Sequence, residues 1–153
     1  MKKIPDLKNY LSNINIFLIA NIVVPILLGA VFYYLYSSDV LFVKKIDWIL
    51  GLNIHFDIEY KKHMFLRFVR NYLLDMFWVY SLFFTLFLII GKNSAKVWKV
   101  FFIAFSFSAI MEILQMIPCV SGTFDFYDVV FEFLAEVIAV FVIKLYFVEE
   151  KRE

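Results

Sequence analysis

Four carboxylates recur along one stretch of this chain at a helical interval. Asp125, Asp128, Glu132 and Glu136 stand at i, i+3, i+7 and i+11, so at ~100° per residue a helix sets them within about 80° of one another on one face. Glu112 and Gln115, three apart, share a face of the preceding segment, and Asp75 stands in an earlier one. Their neighbours are overwhelmingly apolar, and a carboxylate in a membrane-spanning helix costs about 2.5–3.5 kcal/mol near its centre and less near the interface. Tolerating so many acids needs a reason, and three stay open. They form a hydrogen-bonded structural network with some carboxyls neutral, a ligand-binding or catalytic pocket, or an ion or proton path in which Glu136, the deepest, is the residue of interest.

The elements that must position these groups follow from composition. The 153 residues are 63% hydrophobic and 21% aromatic, with a mean hydropathy of +0.82, whereas soluble domains run at about 45–50% apolar. A soluble fold of this size could not hide that surface, so lipid is the expected solvent. Spanning a bilayer takes roughly 17–25 apolar residues as a helix. Segments 14–36, 71–90, 97–117 and 126–147 qualify. The expected fold is all-α: one domain over 1–153, an integral membrane four-helix bundle. Pro25 should kink the first span. Gly91 to Ser94 and Pro118 to Thr123 read as turns. Lys2, Lys3 and Lys8 precede the first span as the basic region of a secretory signal would, but no small-residue cleavage site follows, so the helix is read as retained.

Orientation follows from the basic residues. Lys2, Lys3, Lys8, Lys92, Lys96, Lys99, Lys144, Lys151 and Arg152 fall on one side; Lys44, Lys45, Lys61, Lys62, Arg67 and Arg70 fall on the other. The bias favours both termini in the cytoplasm. The long first loop, 37–70, is not expected to be structureless. It holds an apolar stretch over 40–52. From 60 to 72, Met64, Phe65, Phe68, Val69 and Tyr72 alternate with Lys61, Lys62, Arg67 and Arg70, the pattern of a basic amphipathic helix lying in the interface.

Depth brings the acids together. With a rise of ~1.5 Å per residue, Asp75 lies about 6 Å below the start of its helix and Glu112 about 9 Å below Pro118. Asp128 and Glu132 fall in the same layer. The expected site is therefore a polar pocket of Asp75, Glu112, Gln115, Asp125, Asp128 and Glu132, approached from the loop by Arg67, Arg70 and Asn71 and opening to the outer leaflet. Asp125 and Thr123 also suit capping of the last helix. Other chemistry is poorly supplied. A net charge of +1 gives no basic field for nucleic acid. The one cysteine, Cys119, allows neither an internal disulfide nor a cysteine zinc site. His55 and His63, eight apart in the loop, read as surface residues and not metal ligands. No metal or cofactor is expected.

The run Glu112-Ile113-Leu114-Gln115, a short turn, then Gly122-Thr123-Phe124-Asp125-Phe126-Tyr127-Asp128 leading into an apolar helix resembles the VanZ-like membrane proteins. In that family a Glu-x-x-Gln helix end is followed by a Gly-Arg turn, spaced aspartates and a helix with Asn and Gly. Asp75, in Arg70-Asn71-Tyr72-Leu73-Leu74-Asp75, looks like the acidic position of the family's earlier span. The likeness covers roughly the second half of the chain. It departs at Thr123, where the family usually has Arg, at Glu132, where Asn is common, and at Ala135, where Gly is usual. The resemblance implies a divergent relative of a component of bacterial glycopeptide resistance, associated with lower susceptibility to teicoplanin. The activity expected is binding of a lipid-linked envelope precursor, lipid headgroup or amphipathic antibiotic, without catalysis. Two other classes stand beside it. A metal-dependent hydrolase or transferase on lipid headgroups would hold a divalent cation through these oxygens. A small ion-coupled transporter subunit would need a homo-oligomer, because four helices are few.

Overall fold

The computed structural model describes residues 7–36, 41–51, 54–55, 64–117, 119–120 and 123–150, and among them every regular element is helical. Helix α1 (Leu7–Tyr36) is followed by α2 (Leu41–Leu50). A continuous helical rod then begins as α3 (Met64–Phe68), widens into a π-helical turn over Val69–Leu73 and proceeds as α4 (Leu74–Ile90). A 3₁₀ turn, Ser94–Lys96, leads into α5 (Val97–Leu114), and α6 (Phe126–Glu150) closes the chain. Among the described residues three segments are long and apolar enough to cross a membrane: Asn13–Tyr36, Asn71–Ile90 and Ser94–Leu114. Helix α6 has the length, but Glu132, Glu136 and Lys144 interrupt its apolar run.

The hub is α4, against which α1, α5 and α6 all pack, while α5 also packs on α6. Phe83, Phe84 and Phe87 of α4 are fully buried, and around them gather Ile14 and Leu18 of α1, Val100 and Ala104 of α5, and Ala139 and Ile143 of α6. The alanines let backbones approach, and the rings meet edge-on, as Phe83 does Phe84 at 5.7 Å between centroids, the geometry their quadrupoles favour. This apolar core lies toward the 91–96 end of the molecule. Outside it α1 presents Ile16, Ile19, Val24 and Leu27 unburied. A contiguous apolar face of that length is untenable in water and ordinary in lipid, where close packing replaces the hydrophobic effect as the force between helices.

Local chemistry sets the turns. Gly91 ends α4 at φ 120°, a value side-chain-bearing residues avoid, and its N–H donates to the Phe87 carbonyl at 3.3 Å. The Asn93 side chain accepts from the Ala95 N–H at 2.9 Å, and Lys96 Nζ donates to the Ile90 carbonyl at 3.0 Å. Helix α1 runs unbroken through Pro25. One turn before the proline, Asn21 donates to the Phe17 carbonyl and accepts from the Tyr80 hydroxyl at 2.6 Å, tying α1 to α4.

Two boundaries differ from the sequence-based expectation. The third span ends as an α-helix at Leu114, not at 117. Gln115, Met116 and Ile117 make i→i+3 bonds to Glu112, Ile113 and Leu114, the tightening expected where a following proline disfavours the α conformation. In the long loop, residues 56–63 lie outside the described ones. From Met64 onward the amphipathic segment joins α4 without a break, because the π-helical turn carries the backbone bonds across. The apolar stretch over 40–52 contains α2, whose Val43 is buried while Leu41, Trp48, Ile49 and Leu50 are exposed.

Candidate functional site

Because α4 starts, α5 ends and α6 starts at the same end of the molecule, their terminal turns surround one space. It is a cavity of about 370 Å³ lined by Asn71, Asp75, Glu112, Gln115, Thr123, Asp125 and Asp128. Every lining side chain is polar. Asn71 sits within the π-helical turn and Asp75 just beyond it; such a turn shifts the helical register by one residue, a device frequent at functional sites. Glu112 is the buried member of the wall at 7% exposure. Its Oε1 accepts from Gln115 Nε2 at 2.9 Å, which the tight turn after Leu114 brings back over the helix end. Its Oε2 is buried with no partner.

Asp125 is the capping residue: Oδ1 accepts from the Tyr127 N–H at 2.9 Å, and Oδ2 accepts from the Tyr72 hydroxyl at 3.4 Å. Thr123 lines the cavity. Asp75, Glu112, Asp125 and Asp128 lie close enough to repel one another. Among the described residues no lysine or arginine forms an ion pair with any of them.

Of the residues expected at the site, Asp75, Glu112, Gln115, Asp125, Asp128 and Asn71 meet on this wall. Glu132 does not reach it. One turn deeper on α6, it is 4% exposed, and Glu136, another turn on, is fully buried. The Arg70 side chain lies outside the described residues. Arg67 is exposed and lines a neighbouring groove of about 390 Å³ with Met64, Phe68, Tyr72, Tyr127 and Phe131, a groove that shares Asn71 with the acidic cavity. Tyr72 and Phe131 meet there at a tilt of 38°, with 4.7 Å between ring centroids. Sequence reasoning passed over Tyr72, and the signal was present: an aromatic beside Asn71, three residues before Asp75. Among the described residues no three Asp, Glu, His or Cys side chains group as a metal-ion site, so the hydrolase expectation gains no support from ligand geometry.

A second polar cluster has no counterpart in the sequence-based expectation. At the same end of the molecule the Tyr34 hydroxyl of α1 donates to Asp47 Oδ1 of α2 at 2.6 Å, and Asp47 Oδ2 pairs with His55 Nε2 at 2.7 Å. His55 Nδ1 lies 3.1 Å from the Tyr34 carbonyl oxygen. His55 is thus a partly buried tie between elements, and not a free surface residue. The Tyr34 hydroxyl bond holds the Asp47 carboxyl below the usual carboxylate range, and the His55 hydrogen bond adds to it. His63 lies outside the described residues.

No protein-family model matches the chain, and comparison with curated proteins and with solved structures likewise gives no match.

Proposed function

We propose that this chain is a four-span protein of the bacterial plasma membrane that binds the polar head of an amphipathic ligand in its acidic cavity. The observation that carries the reading is a wall of seven polar side chains from three helix ends, with one buried oxygen of Glu112 unpartnered and, among the described residues, no basic side chain in the lining. An acidic space of this kind repels anions and favours amines and hydroxyl-rich groups. Its size falls at the lower end of small-molecule sites, about 300–1,000 Å³. The adjoining aromatic groove supplies a bed for the apolar part of the same ligand.

Helix α6 is the fourth span in this reading. Its acids turn inward, while Phe133, Leu134, Ile138, Phe141 and Leu145 face outward, so lipid meets an apolar surface although the helix is not apolar by composition. The lysine and arginine bias puts both termini in the cytoplasm and the cavity at the outer leaflet. Helix α2, with Lys44 and Lys45 among Leu41, Trp48, Ile49 and Leu50, then lies along that interface. The VanZ-like likeness of Glu112, Gln115, Asp125 and Asp128 supplies the ligand class: an amine-bearing glycopeptide of the teicoplanin type, or a lipid-linked envelope precursor. The four acids of the wall favour the first, since a precursor's phosphates would need a bridging cation there.

The test is glycopeptide susceptibility of a sensitive bacterium expressing the chain. The wild type should raise the inhibitory concentration of a teicoplanin-type compound several-fold, and Glu112→Gln and Asp128→Asn at equal membrane abundance should abolish the increase. Growth curves that coincide for wild type and empty vector would overturn the reading.

A further inference from the structure

The acids of α6 do not stop at the cavity wall. Behind it, away from its lining, stand Glu132 and Glu136, at 4% and 0% exposure. Neither oxygen of Glu136 has a hydrogen-bond partner, and Glu132 Oε2 has none. Beside both lies Ser108 of α5, itself fully buried. Its hydroxyl donates to the Phe105 carbonyl at 3.3 Å, and in that orientation its oxygen lone pairs are free to accept. A carboxylate cannot donate to them; a neutral carboxylic acid can. An unpaired carboxylate among apolar side chains is also far more costly to bury than the neutral acid.

Among the described residues no opposite charge offsets this. Helix α4 contributes Asp75 and Tyr80 toward α6, α5 contributes Glu112, and α6 itself carries Asp128 above and Lys144 below. Lys144 is turned outward over the Trp98 ring at 4.5 Å. Helix α1 brings no titratable side chain between Asn13 and Phe32. A metal ion would need more converging ligands than these two carboxyls and one hydroxyl supply, and among the described residues no three Asp, Glu, His or Cys side chains converge closely enough to hold one. The cation that fits is the smallest one.

We infer that Glu136, with Glu132 and Ser108, forms a proton-binding site in the core that exchanges with the acidic cavity through Glu132. One proton enters from water in the cavity, passes by way of Glu132 and is held on Glu136 against the Ser108 oxygen. It leaves by the same route, and no other bond is made or broken. The route runs along the acid ladder, Glu136 to Glu132 one turn apart on α6 and Glu132 toward Glu112 of α5, each pair near enough for their charges to influence one another. The inference does not depend on which ligand the cavity takes.

The experiment is infrared spectroscopy of the purified full chain in lipid nanodiscs at neutral pH. A neutral carboxylic acid gives a carbonyl stretch distinct from amide and carboxylate bands, and it shifts in heavy water. The wild type should show this band, and Glu136→Gln should lose it. In Glu132→Gln the band should persist but take up deuterium at least tenfold more slowly. Persistence of the whole band in Glu136→Gln overturns the site, and unchanged deuterium uptake in Glu132→Gln overturns the route. Should the variants fail to insert, wild-type protein labelled with a lipid-soluble carbodiimide decides. Adducts mapping to Glu136 support the site, and adducts confined to the cavity acids sink it.

Discussion

Asp47 and Glu136 are both acids set in helices, yet their surroundings differ in kind. Asp47 has each oxygen hydrogen-bonded, to the Tyr34 hydroxyl and to His55. Glu136 has neither oxygen bonded and is fully buried. The first is a finished structural tie that fastens α2 and residue 55 to the end of α1. The second lies at the bottom of a column of acids from α4, α5 and α6 that ends, at the surface, in an open cavity. Satisfied polar groups specify structure, and unsatisfied ones are held in place at a cost that the rest of the fold must offset. That contrast separates the residues that build this protein from those the proposed function would use.

Stability should move in opposite directions at the two places. Glu136→Met, close in volume and apolar, should stabilise the protein by about 1–3 kcal/mol, the scale of an unsatisfied buried group removed. Thermal unfolding in one detergent, compared with wild type, reads it; a loss of stability would mean that Glu136 has a structural partner. Asp47→Ala should lower the unfolding midpoint by about 2–4 °C, because two bonds disappear and the Tyr34 hydroxyl loses its acceptor.

Acid sharpens the same comparison. The Asp47 carboxyl sits in the fold below its ordinary value of ~3.9. Its contribution is therefore complete above that value and is lost as the pH falls through the lower, folded one. The gap in melting temperature between wild type and Asp47→Ala should hold constant from pH 7 to pH 5 and close only in stronger acid, below pH ~4. The smallest effect belongs to Gln115→Ala. It frees Glu112 Oε1, already beside an unpartnered Oε2, and because the pair borders an open cavity the loss should stay under about 1 kcal/mol. Weaker ligand binding with nearly unchanged melting is the expected result, and a large drop in melting would move Gln115 from the site to the scaffold.

Much of this was legible in the residues. Runs of apolar side chains dictate helices whatever surrounds them, so α1, α4, α5 and α6 fall where hydropathy puts them, and Gly91 marks its turn. The i, i+3, i+7, i+11 spacing put Asp128, Glu132 and Glu136 on one face, and helical rise matched Asp75 and Glu112 to it in depth. Other features left no such trace. The π-helical turn over Val69–Leu73 has no periodicity of its own, and it sets the register between Asn71 and Asp75. His55 gave no hint of its partners, since Tyr34 and Asp47 meet it only when α1 and α2 come together.

What the sequence determined alone is the set of helices, their apolar character and the one-sided ladder of acids, because each depends on periodicity along the chain. Which acids are wall, which are buried behind it and which are bonded depended on packing between helices. Spacing alone groups Glu132 with the cavity, and the structure stands it behind the wall, since depth in a fold is set by the neighbouring helices that cover a side chain and not by its own position on a helix.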